Sequence, residues 1–122
     1  MVKTASTMRK LGTPAPDFKL MNVDGQTVGL HDFDDKPALL VIFMCNHCPY
    51  VKHIERGLAE TLQRHPELPV VGICTNDADV YPGDRPHELA GQARRADWLS
   101  PTWSTPTPRL AWRRSPPHRA IC

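Results

Sequence analysis

Apolar residues gather in two short unbroken runs, and the pattern between the runs has a different period. Residues 38–44 read Ala-Leu-Leu-Val-Ile-Phe-Met and residues 70–75 read Val-Val-Gly-Ile-Cys-Thr. Continuous runs of this kind, with β-branched and aromatic residues, predict strands buried on both faces, as in a parallel sheet. Between them Val51, Ile54, Leu58 and Leu62 recur at helical spacing, with Lys52, Glu55, Arg56, Glu60 and Gln63 interleaved. That predicts a helix over about residues 49–64. Strand, helix and strand of these lengths form a βαβ unit, with parallel pairing and a right-handed crossover.

The flanks are weaker in pattern. Prolines at 14 and 16 hold the segment before Phe18 extended, because each disfavours helix in the residue before it. Asp24-Gly25 is a turn signal between residues 18–23 and 26–30, which predicts a β-hairpin. A polar connector over residues 31–37 follows, with Phe33 expected under the sheet and Pro37 at the entry to the central strand. Residues 76–86 read as a loop, and residues 87–98 as a weakly amphipathic second helix with Leu89, Ala93, Ala96 and Trp98 on one side. After Trp98 neither period persists. Residues 99–122 hold no Asp, Glu or Lys, but four Arg and five Pro. The expectation is a lead-in over 1–11, one α/β domain over 12–98, and a disordered basic tail over 99–122.

Composition narrows the function classes. At 122 residues the chain is at most one domain, and a net charge of +2 gives no reason to invoke nucleic acid or an anionic membrane. No apolar run approaches the roughly 20 residues of a membrane helix. The first residues, Met1-Val2-Lys3-Thr4-Ala5-Ser6, lack the apolar stretch of a secretory signal. The expected location is therefore cytoplasmic, where four cysteines read as redox or catalytic thiols rather than as a disulfide scaffold.

The chemistry concentrates at Cys45-Asn46-His47-Cys48-Pro49, where the first buried run meets the helix. Pro49 suits the first helical position, which makes Cys48 the expected N-cap. Unpaired first-turn N–H groups and the helix dipole favour negative charge there. A thiol so placed can have its pKa lowered from about 8.5 to roughly 3.5–7.5, and the thiolate is the nucleophile. Cys48 is thus the candidate nucleophile. Cys45, three residues earlier, is a candidate for resolving a sulfenic acid or mixed disulfide on Cys48. His47 and His53, when protonated, and Lys52 would add positive charge. Thr75-Asn76-Asp77 follow the second run, and in open α/β sheets sites lie beyond the carboxyl ends of strands, so Asn76 joins the candidate set. Cys74, within the strand, reads as a small core residue. Cys-x-x-Cys pairs also bind zinc, usually with a second ligand pair. Here Cys74 and Cys122 are single, and His47, His53 and His65 do not complete such a set. A redox pair is the favoured expectation, with metal binding and inert cysteines as alternatives.

These residues carry a resemblance. Residues 11–98 resemble redoxin-domain proteins of the alkyl hydroperoxide reductase/thiol-specific antioxidant superfamily, the thioredoxin-like, peroxiredoxin-like group in particular. The matching pieces are Leu11-Gly12-Thr13-Pro14-Ala15-Pro16-Asp17-Phe18, the Asp24-Gly25 turn, Lys36-Pro37, residues 43–55 with the cysteine pair, and Thr75-Asn76-Asp77. The resemblance implies a thioredoxin-like fold and a thiol-dependent oxidoreductase acting on peroxides or disulfides. It implies no cofactor, and turnover by a thiol reductant such as a thioredoxin-like protein or a small thiol. Thioredoxin-like proteins place their nucleophile five residues after a strand Phe, which from Phe43 gives Cys48; their resolving position is Val51. Peroxiredoxins place a Thr or Ser three residues before the attacking cysteine, where this chain has Cys45, and a Pro seven residues before it, where this chain has Val41. Cys48 matches the nucleophile of both patterns; Cys45 matches neither parent role.

The fold that the resemblance implies has two further strands, a last helix and a cis-proline loop, none recognisable in residues 99–122. The expectation is an incomplete fold, an N-terminal hairpin plus βαβα, in a chain truncated or frame-shifted after about residue 98. A permitted codon choice for residues 100–110, read two bases along, gives Pro-Tyr-Leu-Val-Asp-Ala-Asp-Pro-Glu-Val, which is similar to the family's next strand. An incomplete sheet leaves an unpaired edge, so marginal folding and self-association are expected.

Overall fold

The structure, a computed structural model, describes residues 8–98 and the backbone of residues 109–112. Its order is β1 (Lys19–Asn22), β2 (Thr27–Gly29), a 3-10 turn (Leu30–Phe33), β3 (Leu40–Phe43), α1 (Pro49–Arg64), β4 (Val70–Cys74), a second 3-10 turn (Pro82–Asp84), α2 (Pro86–Arg95) and β5 (Arg109–Trp112). The strands form one sheet in the order β2-β1-β5-β4-β3.

The expected hairpin is present. Lys19 pairs with Gly29 and Met21 with Thr27, and Gly25 closes the turn at φ 84°, a backbone conformation in which glycine carries no Cβ penalty. The βαβ unit is also present: β3 and β4 run parallel, with Leu40 opposite Val70 and Phe43 opposite Ile73. Helix α1 has the expected bounds and Cys48 as its N-cap. Helix α2 ends at Arg95, three residues short of the expected end. Asp97 takes the left-handed conformation at φ 58°, and the Trp98 N–H turns back to the Ala93 carbonyl.

The alternation along each strand divides the core. Ala59 and Leu62 of α1, and Leu89 and Ala93 of α2, pack with Cys45, Val70, Cys74, Ala96 and Trp98 on one face of the sheet, with Leu40 and Ile42 against them. On the other face Val28, Phe33, Val71 and Ile73 form a smaller cluster with Phe18, Leu20 and Leu39. Phe33 is buried there as expected.

Three expectations are corrected. Strand β4 is buried along its length, but β3 is buried on one face only: Val41 is 36% exposed and Phe43 71%. The helices cover the Leu40 and Ile42 side, whereas the hairpin covers β4 on the opposite side without reaching the outer half of β3. Ile54, placed by periodicity on the buried face of α1, is 52% exposed; Ala59 and Leu62 carry the contact instead. Finally, residues 99–122 contain a strand where none was expected. β5 lies parallel to β4, with Gly72 opposite Leu110, and antiparallel to β1, with Met21 opposite Trp112. Its place is fixed by the two strand edges that it joins, β1 and β4, which offer backbone groups needing partners. The remainder of the expected disordered tail lies outside the described residues. Among the described residues β2 and β3 are the two edges of the sheet, and β3 is the strand that leads to the cysteines.

Candidate functional site

The chain leaves β3 at Met44, whose N–H is still held by the Ile73 carbonyl at 3.0 Å, then turns through Cys45, Asn46 and His47 into α1. Cys45 is 2% exposed and belongs to the helix-side core, whereas Cys48 is half-buried. Both cysteines line one cleft of about 160 Å³ with Phe43, Met44, Val51, Thr75 and Asn76. A larger groove of about 620 Å³ runs over the open face of β3, with Phe18, Val41, Phe43 and Ile73 in its walls. It holds no thiol, so the smaller cleft is the candidate site.

Cys48 occupies the position that its sequence predicts. Its backbone is extended, Pro49 follows as the first helical residue, and the Lys52 N–H donates to the Cys48 carbonyl at 3.1 Å. No side-chain hydrogen bond caps this end of α1, so the first-turn N–H groups have no competing side-chain cap.

A second feature of the turn was not legible in the sequence. Asp84, at the end of the 3-10 turn after β4, is fully buried. Its Oδ1 accepts the Asn46 backbone N–H at 2.7 Å. Its Oδ2 accepts His47 Nδ1 at 2.7 Å and Asn76 Nδ2 at 2.8 Å. Three donors from two strand ends therefore converge on one carboxylate. Tyr81 stacks on the His47 ring, with centroids 4.5 Å apart and planes 4° from parallel. Cys45, His47 and Asp84 place a sulfur, a ring nitrogen and a carboxylate oxygen all within 4.8 Å of one another. Among the described residues this is the group of three that could hold a metal ion.

Helix α2 clamps the same turn from the other side. Buried Gln92 donates through Nε2 to the Cys45 carbonyl at 3.2 Å and to Glu55 at 3.0 Å. Arg95 donates to Glu55 at 2.9 Å and to the Asn46 side-chain oxygen at 3.1 Å, while Asn46 Nδ2 donates to the Gly83 carbonyl at 2.8 Å. The turn between the cysteines is thus tied to α1, α2 and the 3-10 turn at once.

Of the candidate residues, Cys45, Cys48 and Asn76 share the cleft, His47 joins Asp84, and Pro49 opens α1. Lys52 and His53 are exposed on the first turns of α1. Cys74 is a buried core residue, as expected. Asp84, Tyr81, Gln92 and Glu55 were missed. Asp84 sits in Pro82-Gly83-Asp84-Arg85-Pro86, which reads as a plain loop; the usable signal was that this rigid turn follows the carboxyl end of β4, where sites collect.

Comparison with known proteins fits this arrangement. The model of the AhpC/TSA family matches residues 11–94. An uncharacterized conserved protein of Geobacillus kaustophilus is 34% identical with a TM-score of 0.75; the match covers 88% of this chain and 54% of that one. A hypothetical protein of Sinorhizobium meliloti is 31% identical with a TM-score of 0.75, over 90% of this chain and 57% of that one. The chain therefore spans a little over half the length of these two proteins. The thioredoxin domain of a thiol-disulfide oxidoreductase from Bacteroides vulgatus is 16% identical, with a TM-score of 0.63 over 88% of this chain and 66% of that domain. The fold is thioredoxin-like. No curated protein matches.

Proposed function

The chain belongs to the AhpC/TSA family, and from that premise we propose that it is a thiol-dependent oxidoreductase of redoxin type, reducing peroxides or disulfides through Cys48. The observation that carries the reading is Cys48 at the N-cap of α1, sharing a cleft with the buried thiol of Cys45. The helix N-terminus favours the thiolate, which is the attacking form. With a peroxide, the Cys48 sulfur takes the terminal oxygen, the O–O bond breaks, and an alcohol or water leaves, giving a sulfenic acid. With a disulfide it displaces one thiol and forms a mixed disulfide. Cys45 then closes a Cys45–Cys48 disulfide, and a thioredoxin-like protein or small thiol returns both to the reduced state. Such a cycle suits the cytoplasm, where the thiol pool is kept reducing.

Purified protein is to be mixed in turn with hydrogen peroxide, an alkyl hydroperoxide and oxidised glutathione, with consumption of a dithiol reductant followed. We expect turnover that disappears in Cys48→Ser. Oxidant consumption equal in Cys48→Ser and the parent would end the reading. Among the described residues no helix is long and apolar enough to cross a membrane, and the partners of this reading are thiols and oxidants alone.

The grouping of Cys45, His47 and Asp84 favours a second reading, a metal-binding or metal-delivery module. It predicts stoichiometric binding of Zn²⁺ or Co²⁺ that survives Cys48→Ser and is lost in Cys45→Ser. The redox reading predicts no such binding. The open edge of β3 also makes self-association through strand pairing part of the proposal.

A further inference from the structure

Disulfide closure asks more of Cys45 than its spacing explains. A thiol must lose its proton before its sulfur can attack, and burial opposes the charged form. Cys45 is 2% exposed, and the helix N-terminus that serves Cys48 begins three residues later. A proton acceptor has to lie inside the site.

The residues behind the cysteine turn provide one. The Cys45 sulfur lies within 4.8 Å of both a His47 ring nitrogen and an Asp84 carboxylate oxygen. Catalytic hydrogen bonds are commonly long in unliganded sites, and one water or a small shift spans that distance. Asp84 is buried and bonded to His47 at 2.7 Å, which fixes the ring and places negative charge behind it. Tyr81 holds the ring from its face, and Asn76 and the Asn46 N–H hold the carboxylate. A metal ion held by the same three groups would compete with this role, and the Zn²⁺ or Co²⁺ titration above separates the two.

We propose that Cys45, His47 and Asp84 form a thiol–imidazole–carboxylate relay that deprotonates Cys45 as it closes the disulfide with Cys48. The proposal rests on the reading of Cys48 as the attacking thiol. In the step, Cys48 is in a mixed disulfide with a thiol RSH. The Cys45 proton passes to the His47–Asp84 pair. The Cys45 sulfur forms a bond to the Cys48 sulfur, the bond from Cys48 to the R sulfur breaks, and that sulfur departs with the electron pair. It collects the proton from the His47–Asp84 pair and leaves as RSH. If Cys48 is a sulfenic acid, the hydroxyl departs in the same way and leaves as water. Cys45 and Cys48 together lose the two electrons that the oxidant gained. Asp84 is a positioning residue in this scheme, acting through His47.

The test uses the full chain carrying Cys122→Ser and Ellman's reagent, whose coloured thionitrobenzoate is released once when Cys48 attacks and again when Cys45 resolves. Cys45→Ser identifies the second release. The readout is the ratio of the second rate to the first, which a general loosening of the cysteine turn would not change selectively. Removing a general base costs about 100-fold, so we expect His47→Gln to lower this ratio by about that factor, with Asp84→Asn acting in the same direction. A ratio lowered by less than about tenfold in His47→Gln overturns the relay. His47 is partly exposed, so this variant is expected to fold even if the Asp84 variant does not. Absence of any first release from Cys48 in the parent would instead overturn the reading of Cys48, and the relay with it.

Discussion

Replacing Asp84 by alanine removes the acceptor on which the cysteine turn converges. The side chain is fully buried and accepts three hydrogen bonds, from the Asn46 N–H, His47 Nδ1 and Asn76 Nδ2, at 2.7, 2.7 and 2.8 Å. His47 is 34% exposed and can turn to water once its partner is gone. The Asn76 amide is 2% exposed and cannot, and the Asn46 N–H is part-buried. A buried donor without an acceptor costs about 1–3 kcal/mol, and two of them give about 2–6 kcal/mol. Relief from burying the charged carboxylate offsets part of this, and we take about 3 kcal/mol as the net loss. A domain of this size has only about 5–15 kcal/mol in total, and each kcal/mol moves the midpoint by about 4–8 °C. Asp84→Ala should therefore melt about 12–24 °C below the parent. Asp84→Asn keeps the shape and one acceptor oxygen and should fall in between. Circular dichroism melts with paired urea titrations measure both. An Asp84→Ala protein within about 0.5 kcal/mol of the parent, the range of an ordinary surface change, would refute the account of the carboxylate as the hub of the turn.

Four further outcomes are expected. Mass-spectrometric alkylation at about pH 6 should find Cys48 roughly tenfold faster than the terminal thiol Cys122, while the buried thiols Cys45 and Cys74 react only after denaturation; equal rates for Cys48 and Cys122 would mean that the helix N-terminus does not activate the thiol. Gly57→Ala should stabilise by about 0.5–1 kcal/mol, because glycine is costly inside a helix, and a Cβ at this position of α1 meets nothing within 4 Å; an unchanged urea midpoint would contradict this. Phe43→Lys, on the open face of the edge strand, should shift sedimentation toward monomer as concentration rises, given that Phe43 is 71% exposed; unchanged association would place the contact elsewhere. The hydrogen bond that His31 donates to Asp34 raises the pKa of exposed His31, with the charges of Asp34 and Asp17 adding to it. Its stabilising effect is therefore present below the unfolded histidine pKa of about 6.5 and fades as pH rises through the folded value; the NMR titration of His31 should move down in Asp34→Asn.

What could be read from the sequence followed the strength of each local signal. Helix α1 has four apolar positions at regular spacing, a proline at its start and a cysteine before it, so its bounds and cap were legible together. The β3 and β4 runs were legible as strands, but their surroundings were not, because an apolar run records what a strand can bury and not what covers it. Phe43 is the clearest instance: its type asks for burial, yet among the described residues nothing covers it. β5 carries no pattern of its own and is held by edges belonging to β1 and β4. Asp84 escaped for a related reason. A single Asp between Gly and Arg in a proline-bounded turn reads as a solvent-exposed residue, and only the packing of that turn against the end of β3 brings it to Asn46 and His47.

The two cysteines also differ in a way that their spacing conceals. Cys48 is half-buried at the helix N-terminus, where an anion is favoured and a bulky oxidant can approach. Cys45 is buried among apolar side chains, where an anion is disfavoured, and its carbonyl is pinned by Gln92. If both thiols relied on the same helix dipole, exchanging their roles would cost little. They do not, since among the described residues only Cys45 has the His47–Asp84 pair within 4.8 Å as a group of possible proton acceptors. Under the proposed function the environment orders the chemistry: Cys48 meets the oxidant first, and Cys45 answers from inside. A Cys45→Ser protein should still be oxidised at Cys48 but should accumulate the sulfenic acid or mixed disulfide, whereas Cys48→Ser should leave Cys45 unreacted in the folded state. Trapping with dimedone and intact mass after a brief peroxide pulse distinguishes the two. Direct oxidation of Cys45 in folded Cys48→Ser would reverse the assignment.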